Sequence, residues 1–367
     1  MNIEINPLKL LNGASFKSIS VISDQNIGTQ REVCLQITLI CNDQDVPQKP
    51  KVKLSDYVMD WLLKVNYRCV KGSTLDRKEQ TAKNQVIPLL GEKAITEITL
   101  DDVQGMLDEL TDMGYSYSTI KKAHDLLSEM YDYAIIHKDA FHKPTIGSVL
   151  PENLEHQQRD IHYYTESEYA RLVEESYHLY QSKQSERNAP LIPFLLNTGL
   201  RIGEALALHW SDIDFEHAFV RVRKNVKEVK NRSGNENEPH YIVIEQSTLK
   251  TASSDRVVHL NADALKALSA LPPHKKENEL LFRSEKDKRC TYSSLHRMLE
   301  RICNRAEVKP LGFHAFRHTF ATRLFAKGVE VKTVSSILGH ASVTITYNIY
   351  IHSIQEQEAR AVALLAE

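Results

Sequence analysis

Residues 311–352 constrain this chain more than any other stretch, because they combine helical spacing with side chains that can bind a phosphodiester. His314 and Arg317 are three residues apart, so on a helix they project from the same side. Gly339 marks a helix end and leaves His340 at a turn, with its ring free to donate. The stretch therefore predicts helices joined by a tight turn, with cationic donors gathered around it.

Two tyrosines follow this turn. Tyr350 lies ten residues after His340, and Tyr347 lies three residues before Tyr350. A tyrosine hydroxyl is a poor nucleophile at its usual pKa, so it needs cationic donors around the phosphate that it attacks. Residues 343–351 are rich in β-branched side chains. We therefore expect a helix of low local stability here, whose position depends on packing or on a partner.

Further upstream, an arginine and a lysine complete the set of candidate cationic groups. Arg201 follows the Thr-Gly-Leu turn and opens a predicted helix over 202–208, whose N-terminus favours a bound phosphate. Glu204 is one turn later and can orient the guanidinium of Arg201. Lys250 lies in a polar turn that enters a strand, where a lysine can protonate a leaving oxygen.

Each of these residues has an ordinary alternative when it is taken alone. Arg201 and Glu204 also fit a surface ion pair, and a turn lysine is usually only solvated. An HxxR pair also fits a hydrogen-bonded histidine beside a surface arginine. His318 directly follows Arg317, so we expect it to point elsewhere and to form a structural hydrogen bond. No metal site is expected on this helix.

The length of the chain indicates more than one domain, whereas its total charge does not decide whether it binds nucleic acid. At 367 residues the chain is too long for one small domain, and two to three domains are expected. Lys and Arg number 46 against 48 Asp and Glu, so the total charge of −2 does not indicate a nucleic-acid partner. A DNA-binding face needs only local positive charge, however, so such a partner is not excluded.

The cysteine pattern and the hydropathy indicate a cytoplasmic protein. The five cysteines are scattered and form no CxxC pair, which is typical of reduced thiols. Neither a secretory start nor a run of eighteen apolar residues is present. No membrane association is therefore expected.

The sequence divides into three segments. Residues 1–50 contain one alternating apolar stretch, Val33–Leu39, which predicts a half-buried strand in a small β-containing piece of uncertain role. Residues 51–150 show helical spacing throughout and predict an all-helical domain of four helices. A basic cluster in this domain could contact phosphates or form a solvated helix face. Its members are Lys64, Arg68, Lys71, Arg77, Lys78 and Lys83.

Residues 160–367 predict a second, mixed domain after a polar connector. Thr165 and Glu168 form a capping box that starts its first helix. Strands are predicted over 218–222, 241–244 and 256–260, and helices resume from about 292. The expected fold class is mainly α with a small antiparallel β-sheet in this domain (α+β).

In sequence order, these motifs resemble those of the tyrosine recombinases, and within them the integrases of bacteriophages and conjugative transposons. The motifs are the arginine of TGLRIGE, the turn lysine, HxxR, the Gly-His step and the later tyrosine. The resemblance covers residues 160–367, and residues 73–104 resemble the family's core-binding domain. Each motif alone is weak, but their ordered coincidence is specific. The resemblance implies six catalytic residues: Arg201, Lys250, His314, Arg317, His340 and Tyr350.

The resemblance also implies a role for each of them. The two arginines would clamp the phosphate, and the lysine would protonate the leaving 5′-oxygen. The first histidine would hold a non-bridging oxygen and assist proton transfer, and His340 matches a position that is histidine or tryptophan in the family. Tyr350 would be the nucleophile, because it stands in the phrase Ile-Tyr-Ile-His, and Tyr347 is the less favoured choice. A 3′-phosphotyrosine retains the bond energy, so no ATP, metal or other cofactor is expected.

The implied protein is a site-specific recombinase that integrates or excises a mobile element. Its two domains would form a C-shaped clamp on double-stranded DNA at attachment sites, and it would act as a homo-tetramer on paired sites, with an excisionase-like accessory partner. The tail over 353–367 would pack on a neighbouring protomer or on its own domain. Residues 1–50 carry a net charge of −1 instead of the basic arm-binding domain of many relatives, so arm-site binding is in doubt.

Three alternatives remain open at the level of sequence. A type IB topoisomerase or a telomere resolvase would use similar chemistry. A DNA-binding protein could keep the scaffold without cleaving DNA. An unrelated helical protein with chance motifs would show no salt-sensitive DNA binding.

Overall fold

The structure is a computed structural model. It describes the side chains of most residues from Lys51 onward, and only the backbone of the first two strands. The described ranges are 14–27, 30–41, 51–152, 162–182, 186–235, 237–247, 255–272, 276, 278–284, 288–347 and 349–350. Contacts divide the chain into two compact units. One unit draws on residues 1–63 and 81–151, and the other on 64–80 and 152–367.

The first unit combines a β-hairpin with helices. Strands β1 (Ala14–Ile27) and β2 (Gln30–Cys41) pair antiparallel, with Ile19 opposite Ile37. The single strand predicted over Val33–Leu39 is therefore part of β2, and β1 was not predicted. The helices of this unit are α1 (Leu54–Asp60), α4 (Ile87–Leu90), α5 (Leu100–Asp112) and α6 (Tyr117–Ile136), with a π-helical turn at Ala82–Val86 before α4.

The periodic apolar faces predicted for these helices form the core of the first unit. Thr99 caps α5 by accepting a hydrogen bond from the backbone N–H of Asp102. Tyr131 is buried on α6 and donates its hydroxyl hydrogen to the carbonyl oxygen of Ile95, so its polar end is satisfied. The buried residues of α5 and α6 are Val103, Met106, Leu107, Leu110, Ile120, Ala123, Leu126, Leu127, Met130, Tyr131 and Ala134, as predicted.

The second unit is larger and has a helical core. Its helices are α2 (Tyr67–Cys69), α3 (Gly72–Thr81), α7 (Glu166–Ser182), α8 (Leu191–Thr198), α9 (Ile202–Ala205), α10 (Ala262–Ser269), α11 (Tyr292–Arg305), α12 (Phe313–Ala326) and α13 (Val331–Leu338). The last residue of α3, Thr81, is counted with the first unit. Helix α8 is buried along its whole length and packs against α7, α10 and α12. The predicted capping box at Thr165 is confirmed, because Glu168 accepts from its backbone N–H at 2.8 Å.

Two small antiparallel sheets accompany these helices. Strands β3 (Ile213–Asp214), β4 (Phe219–Val222) and β7 (Arg256–His259) form one sheet in the order β3-β4-β7. Strands β5 (Lys224–Lys230) and β6 (Tyr241–Ser247) form a separate hairpin. The predicted α+β class is confirmed. Strand β5 was missed because its sequence is mostly polar, with only Val226 and Val229 buried.

No helix within the described residues is both long enough and apolar enough to span a membrane.

Candidate active site

The site is built around a tight turn between α8 and α9. Gly199 ends α8 in the left-handed conformation with φ +65°, and an added Cβ there would clash with the ring of Phe320. The chain therefore reverses closely against α12. Arg201 comes directly before α9 in an extended conformation, and 39% of its side chain remains exposed.

One buried carboxylate, Glu204, holds two arginines. Arg201 donates from Nη1 to Oε1 and from its backbone N–H to Oε2, both at 2.9 Å. Arg256, at the start of β7, donates through both terminal nitrogens at 3.1 and 2.8 Å. The Glu204 side chain is only 4% exposed. Its burial raises the pKa, but Arg256 and then Arg201 outweigh that effect and lower the pKa to about 2.

The predicted pair of Arg201 and Glu204 is confirmed, but the helix that Arg201 opens is shorter than expected. Helix α9 has four residues, Ile202–Ala205, and the chain turns before Leu208. So short a helix has a small dipole, and Glu204 already binds the backbone N–H of Arg201. The helix N-terminus therefore favours a bound phosphate less than expected, and the partly exposed guanidinium of Arg201 is the group available to an anion.

Arg317 joins two turns from the middle of α12. Its guanidinium donates to the carbonyl oxygen of Gly199 at 3.0 Å and to that of Leu338 at 2.7 Å. The residue is 2% exposed, and burial followed by the charge of Arg201 lowers its pKa to about 9. It is still protonated at neutral pH. Arg317 thus fixes the turn before Arg201 to the end of α13.

His340 lies on the turn after α13. Gly339 has φ +66°, and an added Cβ there would lie 2.9 Å from Nη1 of Arg256, so glycine lets the turn approach the arginine. The ring of His340 shares a hydrogen bond of 2.7 Å between Nδ1 and the hydroxyl of Thr346. Burial, and then the charge of Arg317, lower the pKa of His340 to about 4, so the ring is neutral at physiological pH.

The HxxR histidine, His314, is exposed near the start of α12. The ring of His314 meets the ring of His318 edge-on, with 4.7 Å between their centroids. Partial desolvation lowers the pKa of His314, and the charges of Arg317 and Arg201 act in the same direction. An exposed, neutral imidazole near two cations can bind a phosphate oxygen or exchange a proton with it.

Tyr350, not Tyr347, is the tyrosine that the structure brings to this group. It is 3% exposed and packs with Phe325 of α12 and Leu338 of α13. Its hydroxyl lies 2.7 Å from Nδ1 of His318. Burial raises the pKa of Tyr350 above its usual value, while the charge of Arg317 opposes this rise. Tyr347 is 41% exposed.

Two residues of this arrangement were missed by sequence reasoning. His318 was expected to point away from Arg317, but it lies four residues after His314 and therefore shares its side of the helix. That spacing could have revealed it. No sequence signal marks Arg256, because its partner Glu204 is 52 residues away along the chain.

The remaining predicted residues lie elsewhere or outside the described residues. Lys250 is outside them, as are the connector over 153–161 and the tail. Five members of the basic cluster are exposed and Lys78 is half-buried, donating to Asn66 at 3.3 Å. Among the described residues, no group of three or more histidine, cysteine or acidic side chains is arranged to hold a metal.

Two family profiles match the sequence. The one described as "Phage integrase family" matches residues 162–357, and "Phage integrase, N-terminal SAM-like domain" matches 53–111. A tyrosine recombinase XerC-like protein of Caldanaerobacter subterraneus subsp. tengcongensis is 32% identical over 335 residues, covering 86% of this chain and 83% of the relative. The ICEBs1 integrase of Bacillus subtilis is 25% identical and covers 70% of this chain and 68% of the relative. The transposase of Tn916 from Enterococcus faecalis is also 25% identical, over 72% of this chain and 65% of the relative.

Two solved structures with a similar fold are complexes with DNA. The Tn1549 transposon integrase (residues 82–397) with circular intermediate DNA has a TM-score of 0.61 at 23% identity, covering 83% of this chain and 99% of the solved chain. A dimer of lambda integrase (residues 75–356) bound to a COC′ core site has a TM-score of 0.56 at 18% identity, covering 80% of this chain and 97% of the solved chain. At these identities, the likeness concerns the fold.

Proposed function

The chain belongs to the phage integrase family and is a tyrosine recombinase, and on this premise we propose that Tyr350 cleaves DNA by transesterification. The Tyr350 hydroxyl attacks the scissile phosphate and forms a 3′-phosphotyrosine, and a free 5′-hydroxyl is released. Religation by a 5′-hydroxyl of another strand reverses these steps. The observation that supports this role best is the position of Tyr350, whose hydroxyl lies beside α12 in the field of Arg317.

The two arginines stabilise the transition state in this proposal. The phosphorane carries more negative charge than the starting diester, so fixed cations bind it more tightly than the substrate. Arg201 supplies the exposed guanidinium, which Glu204 orients. Arg317 adds its charge from a buried position on α12, and its hydrogen bonds hold the turn at Gly199 against the end of α13. The loss of one such donor costs about 3 kcal/mol in the barrier.

The neutral histidines and the lysine complete the proposed chemistry. His314 is exposed enough to hold a non-bridging oxygen, and His340 is kept in place by Thr346. Lys250, by its resemblance to the hairpin lysine of the family, protonates the leaving 5′-oxygen.

The proposed substrate is double-stranded DNA at the attachment sites of a mobile element. Support comes from relatives that include a Tn916 transposase and the ICEBs1 integrase, and from neighbours of the same fold bound to DNA. The basic cluster of residues 64–83 would contact backbone phosphates, which supply much of the affinity of such proteins. Within α3, the two acidic residues Asp76 and Glu79 are bound by Arg232, so the cluster keeps a local positive charge. The active assembly would be a homo-tetramer on paired sites, with an excisionase-like accessory protein setting direction.

Nicked suicide duplexes made from candidate attachment sites test the proposal. The wild-type protein, Tyr350→Phe and Tyr347→Phe are incubated with them and separated on denaturing gels. We expect a covalent protein–DNA band that disappears only in Tyr350→Phe. A band lost only in Tyr347→Phe would transfer the role to that residue. No band on sites that the protein binds would favour a protein that binds DNA without cleaving it.

A further inference from the structure

The hydroxyl of Tyr350 lies 2.7 Å from the Nδ1 atom of His318, which is its one hydrogen-bonding side-chain partner among the described residues. The hydroxyl is buried, so few water molecules can reach it. A phenol that attacks phosphorus must lose its proton, and in a buried place a protein group has to receive it. The contact with His318 therefore concerns the step in which Tyr350 loses its proton.

The position of His318 allows it to receive the proton of Tyr350. It lies on α12 between His314, whose ring meets it edge-on at 4.7 Å, and Tyr350, which belongs to the helical residues 343–347 and 349–350 after α13. Within the part of the chain that the structure describes, the charged and titratable groups around it are His314 and Arg317 on its own helix and Tyr350. Burial, and then these two neighbours on α12, lower the pKa of His318 to about 4. The imidazole is therefore neutral at physiological pH, so the lone pair of Nδ1 is available to the Tyr350 hydroxyl.

We propose that His318 is a catalytic residue, the general base that takes the proton of Tyr350 during strand cleavage. This inference rests on the function proposed above. With the proton of the imidazole on Nε2, the Tyr350 hydroxyl donates its hydrogen bond to Nδ1. As the Oη–P bond forms and the P–O5′ bond breaks, the phenol proton moves to Nδ1. The leaving 5′-oxygen takes a different proton, from a lysine or from water.

The reverse step follows from the same geometry. When a 5′-hydroxyl attacks the phosphotyrosine, the tyrosine oxygen is the leaving group, and the imidazolium of His318 returns the proton to it. The scissile phosphate, which is negatively charged, stabilises this imidazolium while DNA is bound. A histidine can therefore act in both directions of an isoenergetic exchange of phosphoesters.

The variant His318→Asn separates a base from a positioning residue. Its amide can occupy the place of Nδ1 and keep a hydrogen bond to the Tyr350 hydroxyl, but it cannot accept the proton. His178→Asn is the matched control, since His178 is exposed on α7 and bonded to Glu175. Single-turnover cleavage of a suicide duplex is measured from pH 6 to pH 9 for the wild type and both variants.

We expect His318→Asn to cleave about a hundredfold more slowly than the wild type at neutral pH. Its remaining rate should rise in proportion to hydroxide over the whole range, whereas the wild-type rate should level off. Ring-fluorinated tyrosine at position 350, whose phenol is more acidic, should restore more activity to His318→Asn than to the wild type. His178→Asn should match the wild type throughout.

Two results would overturn the inference alone. One is a wild-type rate and pH profile in His318→Asn. The other is a slow variant that keeps the wild-type pH profile and gains nothing from fluorination, because His318 would then only position the tyrosine. If the wild type itself forms no covalent adduct on a duplex that it binds, the proposed function fails, and this inference fails with it.

Discussion

Replacing Glu204 by glutamine should remove much of the stability of the second unit at neutral pH. The carboxylate is buried and accepts hydrogen bonds from two arginines, of which Arg256 is itself only 9% exposed. The pKa of Glu204 is about 2, against an ordinary value of 4.5. This difference corresponds to roughly 3 kcal/mol of folding free energy, since each pKa unit is worth about 1.4 kcal/mol. The variant also leaves the charge of Arg256 buried without a counter-charge.

The pH dependence distinguishes this explanation from a simple packing defect. Because the folded pKa is depressed, the contribution of Glu204 is fully present above pH 4.5 and is lost as the pH falls towards 2. Protonated glutamic acid resembles glutamine in shape and charge. The difference in unfolding free energy between the wild type and Glu204→Gln should therefore be largest at pH 7 and should shrink below pH 4.5.

Urea unfolding followed by tryptophan fluorescence measures this difference. The chain has two tryptophans, and in a Trp61→Phe background the signal comes from Trp210, in the second unit. Glu166→Gln serves as the control, because Glu166 also pairs with an arginine but is 70% exposed. It should change stability by less than about 1 kcal/mol. An effect of Glu204→Gln that is equally small, or that stays constant from pH 7 to pH 3, would refute the reasoning.

Three further outcomes are expected. Arg317→Ala should lower both the cleavage rate, by about a hundredfold, and the melting temperature, because two buried carbonyl groups lose their donor; an unchanged melting temperature, measured by calorimetry, would contradict this. Gly339→Ala should slow cleavage and destabilise the protein, because φ is +66° and the new Cβ would clash with Arg256. Wild-type cleavage kinetics in this variant would show that the turn adapts freely. Lys71→Ala should weaken binding to all duplexes and reduce the slope of log K against log salt by about one, whereas Lys309→Ala, which is exposed outside the basic cluster, should leave the slope unchanged.

Local features were read correctly from the sequence because neighbours along the chain determine them. The capping box at Thr165 needs only a residue three positions later, and the buried faces of α5 and α6 follow from helical spacing. The ordered motifs indicated the family, since each sits on a local turn or helix. Strand β5 was missed for the opposite reason: a polar strand is recognised by its partner, β6, which lies beyond a loop.

The length of α9 also shows a limit of local spacing. Residues 202–208 have the composition of a helix, yet the helix ends at Ala205. Leu208 instead accepts a backbone hydrogen bond from Leu281, so tertiary pairing replaces the last helical turn. The shorter helix weakens the argument from the helix dipole, so the proposed role of Arg201 depends mainly on its guanidinium.

The sequence by itself determined most of the candidate groups of the site, because Arg201, His314, Arg317, His340 and Tyr350 occur at recognisable spacings. Only the tertiary structure decided how these groups are charged and held. Glu204 meets Arg256 across 52 residues, and His318 meets Tyr350 across 32. Burial and charge at such contacts set the pKa of each group, and neither is visible in spacing along the chain. The buried carboxylate, the buried tyrosine and the histidine beside it are therefore properties of the fold.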